Sequence, residues 1–321
     1  MSPRIGGGGP AGSAAALWLA RAGARPVVYE QSALPRHKVC GEFFSPEILP
    51  LFEQLGIAES FMSLRPAVVA FAELRFGSRR RRFRLPEPAW GLSRWTLDDW
   101  LLRHAASGGA EVRRERVAVS NCDIRAAGRA AALPRGRRAF GFKAHFAGPA
   151  NDAVELHFFP GGYGGLCPIE NGRTNVCGLV EEGMFRARRF DVDLLIQASA
   201  GLRERLTSLT RLTRWFTTGP LVFGPPASVG GSPAAGDAAC FVDPFTGSGL
   251  LAAVQTGIWA GRAALAGPAA YSWYTQQCGP FYRRQLATTT IARRLLALGW
   301  AETLARFLPG AALFRLTRPA A

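Results

Sequence analysis

The sequence predicts an α/β fold, in which a Rossmann-like unit is interwoven with a β-sheet domain and followed by a C-terminal helical segment. Three observations predict it. A glycine-rich turn, Ile5 to Gly12, leads into an apolar helix and then a short strand. Strand-like and helical segments alternate from there to about residue 180. Long helical stretches take over from Leu250. With 321 residues, 48% hydrophobic and 19% charged, the chain has room for two domains and a globular composition. Disordered, collagen-like and mucin-like chains are excluded.

The elements follow in order. Pro3 cannot donate to a sheet ladder, so the first strand, near Ile5, should be short. Ala14 to Ala22 has helical character, with Gly23 as its stop. Val27, Val28 and Tyr29 read as a buried strand. A helix follows at Ile48 to Leu55. Residues 64–95 are strand-rich, and Val69 to Phe76 alternates. Thr96 is the expected N-cap of a helix that stops at Gly108-Gly109. Glu111–Arg113, Phe140–Phe146, Val154–Phe159 and Thr174–Val180 read as strands. Val192–Ala200, Leu250–Ala266 and Tyr271–Leu298 read as helices.

Gly7-x-Gly9-x-x-Gly12 fits the spacing that lets a backbone turn tightly, approach a diphosphate and pack a helix on a strand. Pro10 and Ala11 then open a helix whose N-terminus favours an anion. Glu30 ends the second strand, eighteen residues after Gly12, where an acid accepts from a ribose and disfavours a 2′-phosphate. Gln31 adjoins it. This β-turn-α-β unit predicts a dinucleotide site of the FAD or NAD type.

A distant segment narrows the choice. Gly236-Asp237 and Asp243-Pro244-Phe245-Thr246-Gly247-Ser248-Gly249 precede a long helix. Together with the first turn they resemble the FAD-dependent oxidoreductases of the aromatic-hydroxylase and geranylgeranyl-reductase superfamily. The resemblance implies an FAD domain of glutathione-reductase type. It implies that Asp237 holds the ribityl chain, and that the turn of Pro244, Gly247, Ser248 and Gly249 places backbone N–H groups and a helix N-terminus against the flavin. Leu34 to Glu42 is similar to the family's KxCG segment, which implies that Arg36, Lys38, Val39, Cys40 and Gly41 lie near the flavin. Arg94 matches an arginine that approaches the cofactor. Ala126 to Arg129 occupies the place of a family element whose acid is absent here, in a shortened stretch from Val117.

The expected boundaries are 1–63, 94–138 and 226–266 for the FAD domain, 64–93 and 139–225 for the substrate domain, and 267–321 for the C-terminal helices. Candidate chemistry falls on Cys40, a thiol over the flavin, and on Glu42, a general acid if buried. His145 and His157 read as ordinary strand histidines. Phe140, Phe142, Phe146, Phe158, Phe159, Tyr163, Trp215 and Phe216 are expected along one sheet face. No cluster has metal-ligand spacing, so no metal is expected.

The formal net charge is +16, nearly all of it arginine, since lysine occurs only at Lys38 and Lys143. No zinc-finger, basic-zipper or helix-turn-helix pattern accompanies the charge, which argues against nucleic acid. Arg79 to Arg84 and the stretch from Arg293 to Leu308 could instead meet an anionic membrane. Six cysteines without a CxxC pair, and no secretory leader, read as reduced thiols in the cytoplasm. There is no second GxGxxG, so NAD(P)H is expected as a transient donor.

Reduction of a lipid-like unsaturated substrate fits the KxCG segment and the stretch from Tyr163 to Leu179. Hydroxylation of an aromatic or polyketide-derived ring is the alternative, since one fold hosts both. A halogenase is disfavoured by the absence of WxWxxP. A non-catalytic flavin-binding scaffold is the fourth reading.

Overall fold

A computed structural model of the chain describes residues 2–129, 138–225, 231–297 and 299–316. Its strands are, in order, β1 (Arg4–Gly6), β2 (Val27–Tyr29), β3 (Phe43–Phe44), β4 (Ala67–Phe76), β5 (Arg79–Gly91), β6 (Glu111–Arg113) and β7 (Ile124–Arg125). They continue with β8 (Ala139–Ala147), β9 (Ala153–Phe159), β10 (Gly162–Ile169), β11 (Arg173–Glu181), β12 (Thr210–Arg211) and β13 (Phe216–Leu221). The parallel sheet has the order β6-β2-β1-β7. The larger sheet runs β12-β8-β11-β10-β9-β4-β5-β3, with β13 also paired to β8. β3, β4 and β5 lie between β2 and β6 in sequence, so the chain leaves the parallel sheet and returns to it. This is the expected architecture of a Rossmann-like core, an interwoven sheet and C-terminal helices.

β1 is three residues long, as Pro3 foretells, and Val27 N donates to the Pro3 carbonyl at 2.8 Å. The helix Pro10–Arg21 is buried along almost its whole length. It packs against the helix Gly249–Ala266, where small residues set the separation: a Cβ on Gly257 would stand 2.3 Å from the Ala11 carbonyl oxygen. The sheet-facing stretch 117–129 holds a single 3-10 turn, Val119–Asn121, which passes directly into β7.

Several elements differ from expectation. The helix at 94–107 is capped by Ser93, whose Oγ accepts from Thr96 N, so Thr96 lies inside its first turn. The stretch 192–206 is two helices, Val192–Gln197 and Ala200–Leu206, the second beginning after Ser199. The aromatics divide between two faces. Phe142, Phe146 and Trp215 pack beneath the helices of 182–206, whereas Phe158, Tyr163 and Phe216 face a central cavity. Period-two alternation requires that division. The C-terminal helices are Tyr271–Ala297, Trp300–Phe307 and Gly310–Leu316. Among the described residues no helix is long and apolar enough to cross a membrane.

Candidate functional site

The first glycine turn folds as its spacing requires. Gly7 has φ +110°, and a Cβ there would meet the Ala126 carbonyl oxygen at 2.4 Å. Gly12 presses on Gly7, with 1.8 Å from a hypothetical Cβ to the Gly7 oxygen. Gly9 differs: the nearest atom to its added Cβ is Lys38 Nζ at 3.8 Å, so space is left where a ligand would approach. Gly9 caps the helix Pro10–Arg21, whose free N–H groups and positive end face that space. Glu30 is buried beyond the end of β2. Its carboxylate accepts from Gly8 N at 3.0 Å and from Ser32 N at 2.8 Å, which ties the turn to the strand end.

The distant turn closes on the same space. Gly236 N donates to Thr256 Oγ1 at 2.8 Å, and the Gly236 carbonyl accepts from Tyr282 at 3.1 Å. Asp237 beside it lines the cavity, its surface open to that space. Among the described residues no hydrogen bond or ion pair engages its carboxyl. Burial pushes that carboxyl up, against the pull of Arg94, Arg129 and Lys38. Asp243 accepts from Phe245 N at 3.2 Å and pairs with Arg293. Gly247 takes the left-handed conformation, φ +66°, against the ring of Phe43. Ser248 then starts the helix Gly249–Ala266.

Both turns line one cavity of about 1630 Å³, larger than the roughly 300–1,000 Å³ of a typical small-ligand pocket. Gly7, Gly9, Pro10, Ala11, Glu30, Gln31, Arg36, Lys38, Val39, Cys40, Gly41, Glu42, Arg94, Asp237, Pro244, Gly247 and Gly249 all border it. Gly12 and Ser248 do not. Gly12 is spent on helix–turn contact, and the Ser248 hydroxyl is bonded to Thr246 and Gln285 behind the turn.

The segment Arg36–Glu42 is clamped into the cavity wall from the larger sheet. Asn175 Nδ2 donates to the carbonyls of Cys40 and Gly41 at 2.9 and 3.0 Å. Glu42 has φ +57° and no exposed surface. It accepts from Arg94 N at 2.6 Å and His145 Nε2 at 2.8 Å, and it pairs with Lys143, itself fully buried. Burial pushes the Glu42 carboxyl up, but Lys143 and His145 outweigh it and hold it below the usual range. That corrects the general-acid reading: a carboxylate so held anchors the loop and has no proton to give. Lys38 and Arg94 share Asp98, at 2.8 Å for Lys38 Nζ and 2.6 Å for Arg94 Nε. Two cations on one carboxylate leave a net positive charge on the wall. Cys40 borders the cavity beside Cys167 and Cys177; burial pushes the Cys177 thiol up to about 12.

Beyond these residues the cavity wall turns apolar. Leu74, Phe76, Leu85, Leu156 and Phe158 line it from the sheet, and Phe76 stacks on Phe158 at 4.9 Å. Leu295 and Phe314 from the C-terminal helices, and Leu308 between two of them, also border it.

Sequence reasoning missed Lys143, Asn175 and Arg293, and it read His145 as an ordinary strand histidine. Each is fifty or more residues from the loop or turn it serves, and no local pattern marks it.

The residues present fit FAD: an open glycine cradle at a helix N-terminus, a cavity-facing carboxyl at Asp237 that no described residue pairs with, and a second helix N-terminus. The comparisons agree. Residues 4–132 match the FAD binding domain family. Over 113 residues the chain is 34% identical to a menaquinone reductase of Mycolicibacterium smegmatis, covering 33% of this chain and 27% of that protein. It is 35% identical over 113 residues to the flavin-dependent halogenase armH3 of Armillaria mellea, covering 33% and 22%. The chain thus matches about a quarter of these relatives' length. Among solved structures, the flavin-dependent brominase Bmp2 superposes with a TM-score of 0.79 over 98% of this chain and 92% of that one, at 17% identity. A geranylgeranyl bacteriochlorophyll reductase-like protein of Thermoplasma acidophilum gives 0.71 over 95% and 89%, at 20% identity. At such identities the likeness is one of fold. With its cradle, its second turn and the match over residues 4–132, the chain carries an FAD binding domain, in a fold it shares with flavin-dependent enzymes.

Proposed function

We propose that the protein reduces a hydrophobic, lipid-like unsaturated small molecule, with NAD(P)H or a separate reductase as transient electron donor. One observation carries the reading: the cavity that holds both glycine turns runs without a break into an apolar chamber walled by the sheet and the C-terminal helices. A substrate with a long apolar body could lie there with its reactive end at the glycine turns. The likeness to a menaquinone reductase supports an isoprenoid-tailed substrate.

Bound FAD would supply hydride transfer. The chain's own residues do the rest. The helix N-terminus at Pro10, with Lys38 and Arg36, would hold the diphosphate, and Glu30 and Asp237 would hold sugar hydroxyls. Glu42, fixed by Lys143 and His145, keeps the Cys40–Gly41 backbone against the cavity. The apolar wall excludes water from the reacting end.

Halogenation is the second reading. It draws on the fold shared with the brominase and on Trp215-Phe216-Thr217-Thr218-Gly219-Pro220, which keeps the first tryptophan and the proline of WxWxxP but has Thr217 at the second tryptophan. Anaerobic incubation of the reduced flavoprotein with an isoprenoid quinone, followed by mass spectrometry, distinguishes the readings. Gain of two hydrogens without oxygen is expected. Turnover only with oxygen, giving a hydroxylated or halogenated product, would sink the reductase assignment.

A further inference from the structure

We propose that the C-terminal helices form a docking face for an anionic lipid bilayer, at the mouth of the apolar chamber. On the helix Trp300–Phe307, Trp300 and Phe307 are seven residues apart and so share one face; they are 63% and 74% exposed. Ile291 on the preceding helix is 58% exposed and also borders the chamber. The two helices pack together. The charge around these residues is mostly positive. Arg284 and Arg294, exposed, lie on the same side of their helix as Ile291. Arg79, at the start of β5, pairs with Glu302, and Arg81 reaches the Leu308 carbonyl at 3.4 Å. From residue 271 onwards the sequence has seven arginines and one acid, Glu302.

Exposed aromatics beside exposed arginines such as Arg284 and Arg294 are the composition of an interfacial helix, its rings at the headgroup level and its cations on the lipid phosphates. The chamber lining adjoins the patch: Ala301 and Leu308, neighbours of Trp300 and Phe307, belong to the cavity wall. A membrane-dissolved substrate would then enter the chamber without crossing water. The inference takes its purpose from the lipid-substrate reading, but its test needs no turnover.

The experiment is sedimentation of the full chain with phosphatidylglycerol-containing vesicles at low salt, with pure phosphatidylcholine vesicles as the control. Binding to the anionic vesicles only, reversed by high salt, is expected. Arg284→Gln with Arg294→Gln should weaken it roughly thirtyfold. Trp300→Ser with Phe307→Ser should weaken it by at least about tenfold. Flavin binding, read by fluorescence, should be unchanged in both, which shows that they fold. Two results overturn the proposal: no sedimentation of the parent with anionic vesicles, or variants that sediment as well as the parent. A third is a dimer that Trp300→Ser with Phe307→Ser dissociates while no vesicle binding is seen, since the patch would then join two copies of the chain. Failure here would leave the reductase reading intact, and failure of that reading would leave membrane binding intact.

Discussion

Asp237 and Glu42 are both acids at the cavity, and their surroundings treat them oppositely. Among the described residues nothing pairs with Asp237, so its raised carboxyl costs stability at neutral pH. Asp237→Asn should therefore raise the melting temperature of the flavin-free protein while weakening FAD at least about tenfold, the loss of a hydrogen bond to a charged group. Thermal unfolding and flavin fluorescence read the two effects separately. Glu42 is the reverse case. Lys143→Met would leave it buried without its cation, at a cost of about 3–5 kcal/mol in denaturant unfolding. Adding Glu42→Gln should recover part of that cost. Because the Glu42 and Asp98 carboxyls are depressed in the fold, their stabilisation is present above the unfolded carboxyl pKa of about 4 and is lost as pH falls through the folded values. The double variant should lose stability less steeply in acid. Asp237 could be read from its place after Gly236. The pairing of Glu42 could not, because Lys143 and His145 approach it over a hundred residues later in sequence through a strand register that no local pattern encodes.

Glycines and helix ends were the most legible features among the elements, because a backbone approach leaves a residue-level mark. Gly7, Gly12 and Gly247 stand where a Cβ or a negative φ would break the turn. The long apolar helix at 249–266 carried its own periodicity. The cap at 94–107 was misplaced because Ser93 and Thr96 are both good caps, and a buried contact decides between them: Glu170 accepts from Ser93 N at 2.8 Å. The short helices at 182–206 were blurred for a similar reason, since their apolar residues answer to the sheet beneath them and not to their own length. The contact between the helices Pro10–Arg21 and Gly249–Ala266 gives the prediction for this scale. Gly257→Ala should force the helices apart and cost about 1–3 kcal/mol, with loss of flavin at unchanged sequence in both turns. Chemical denaturation of the apo and loaded forms tests it.

Across the molecule, the interweaving of two sheets was legible as an order of elements, whereas the single continuous cavity was not. It exists because β8, β9 and β10 aim one face at the parallel-sheet unit, and sequence periodicity gives the alternation without saying which neighbour each face will meet. The helix Tyr271–Ala297 joins the two ends of that cavity. Tyr282, Gln285 and Arg293 touch the distant glycine turn, and Leu295, further along the same helix, borders the apolar chamber. Loading with FAD should slow amide hydrogen exchange in this helix as far as Leu295, measured against the flavin-free protein; protection that stops at Tyr282 would show the helix to be uncoupled. A rod fastened at one compartment and roofing the next can set a sequence of events. With that coupling, the greasy hall gains a firm ceiling only once the nucleotide is seated, and guests admitted to an unfurnished molecule should be held loosely and released unchanged.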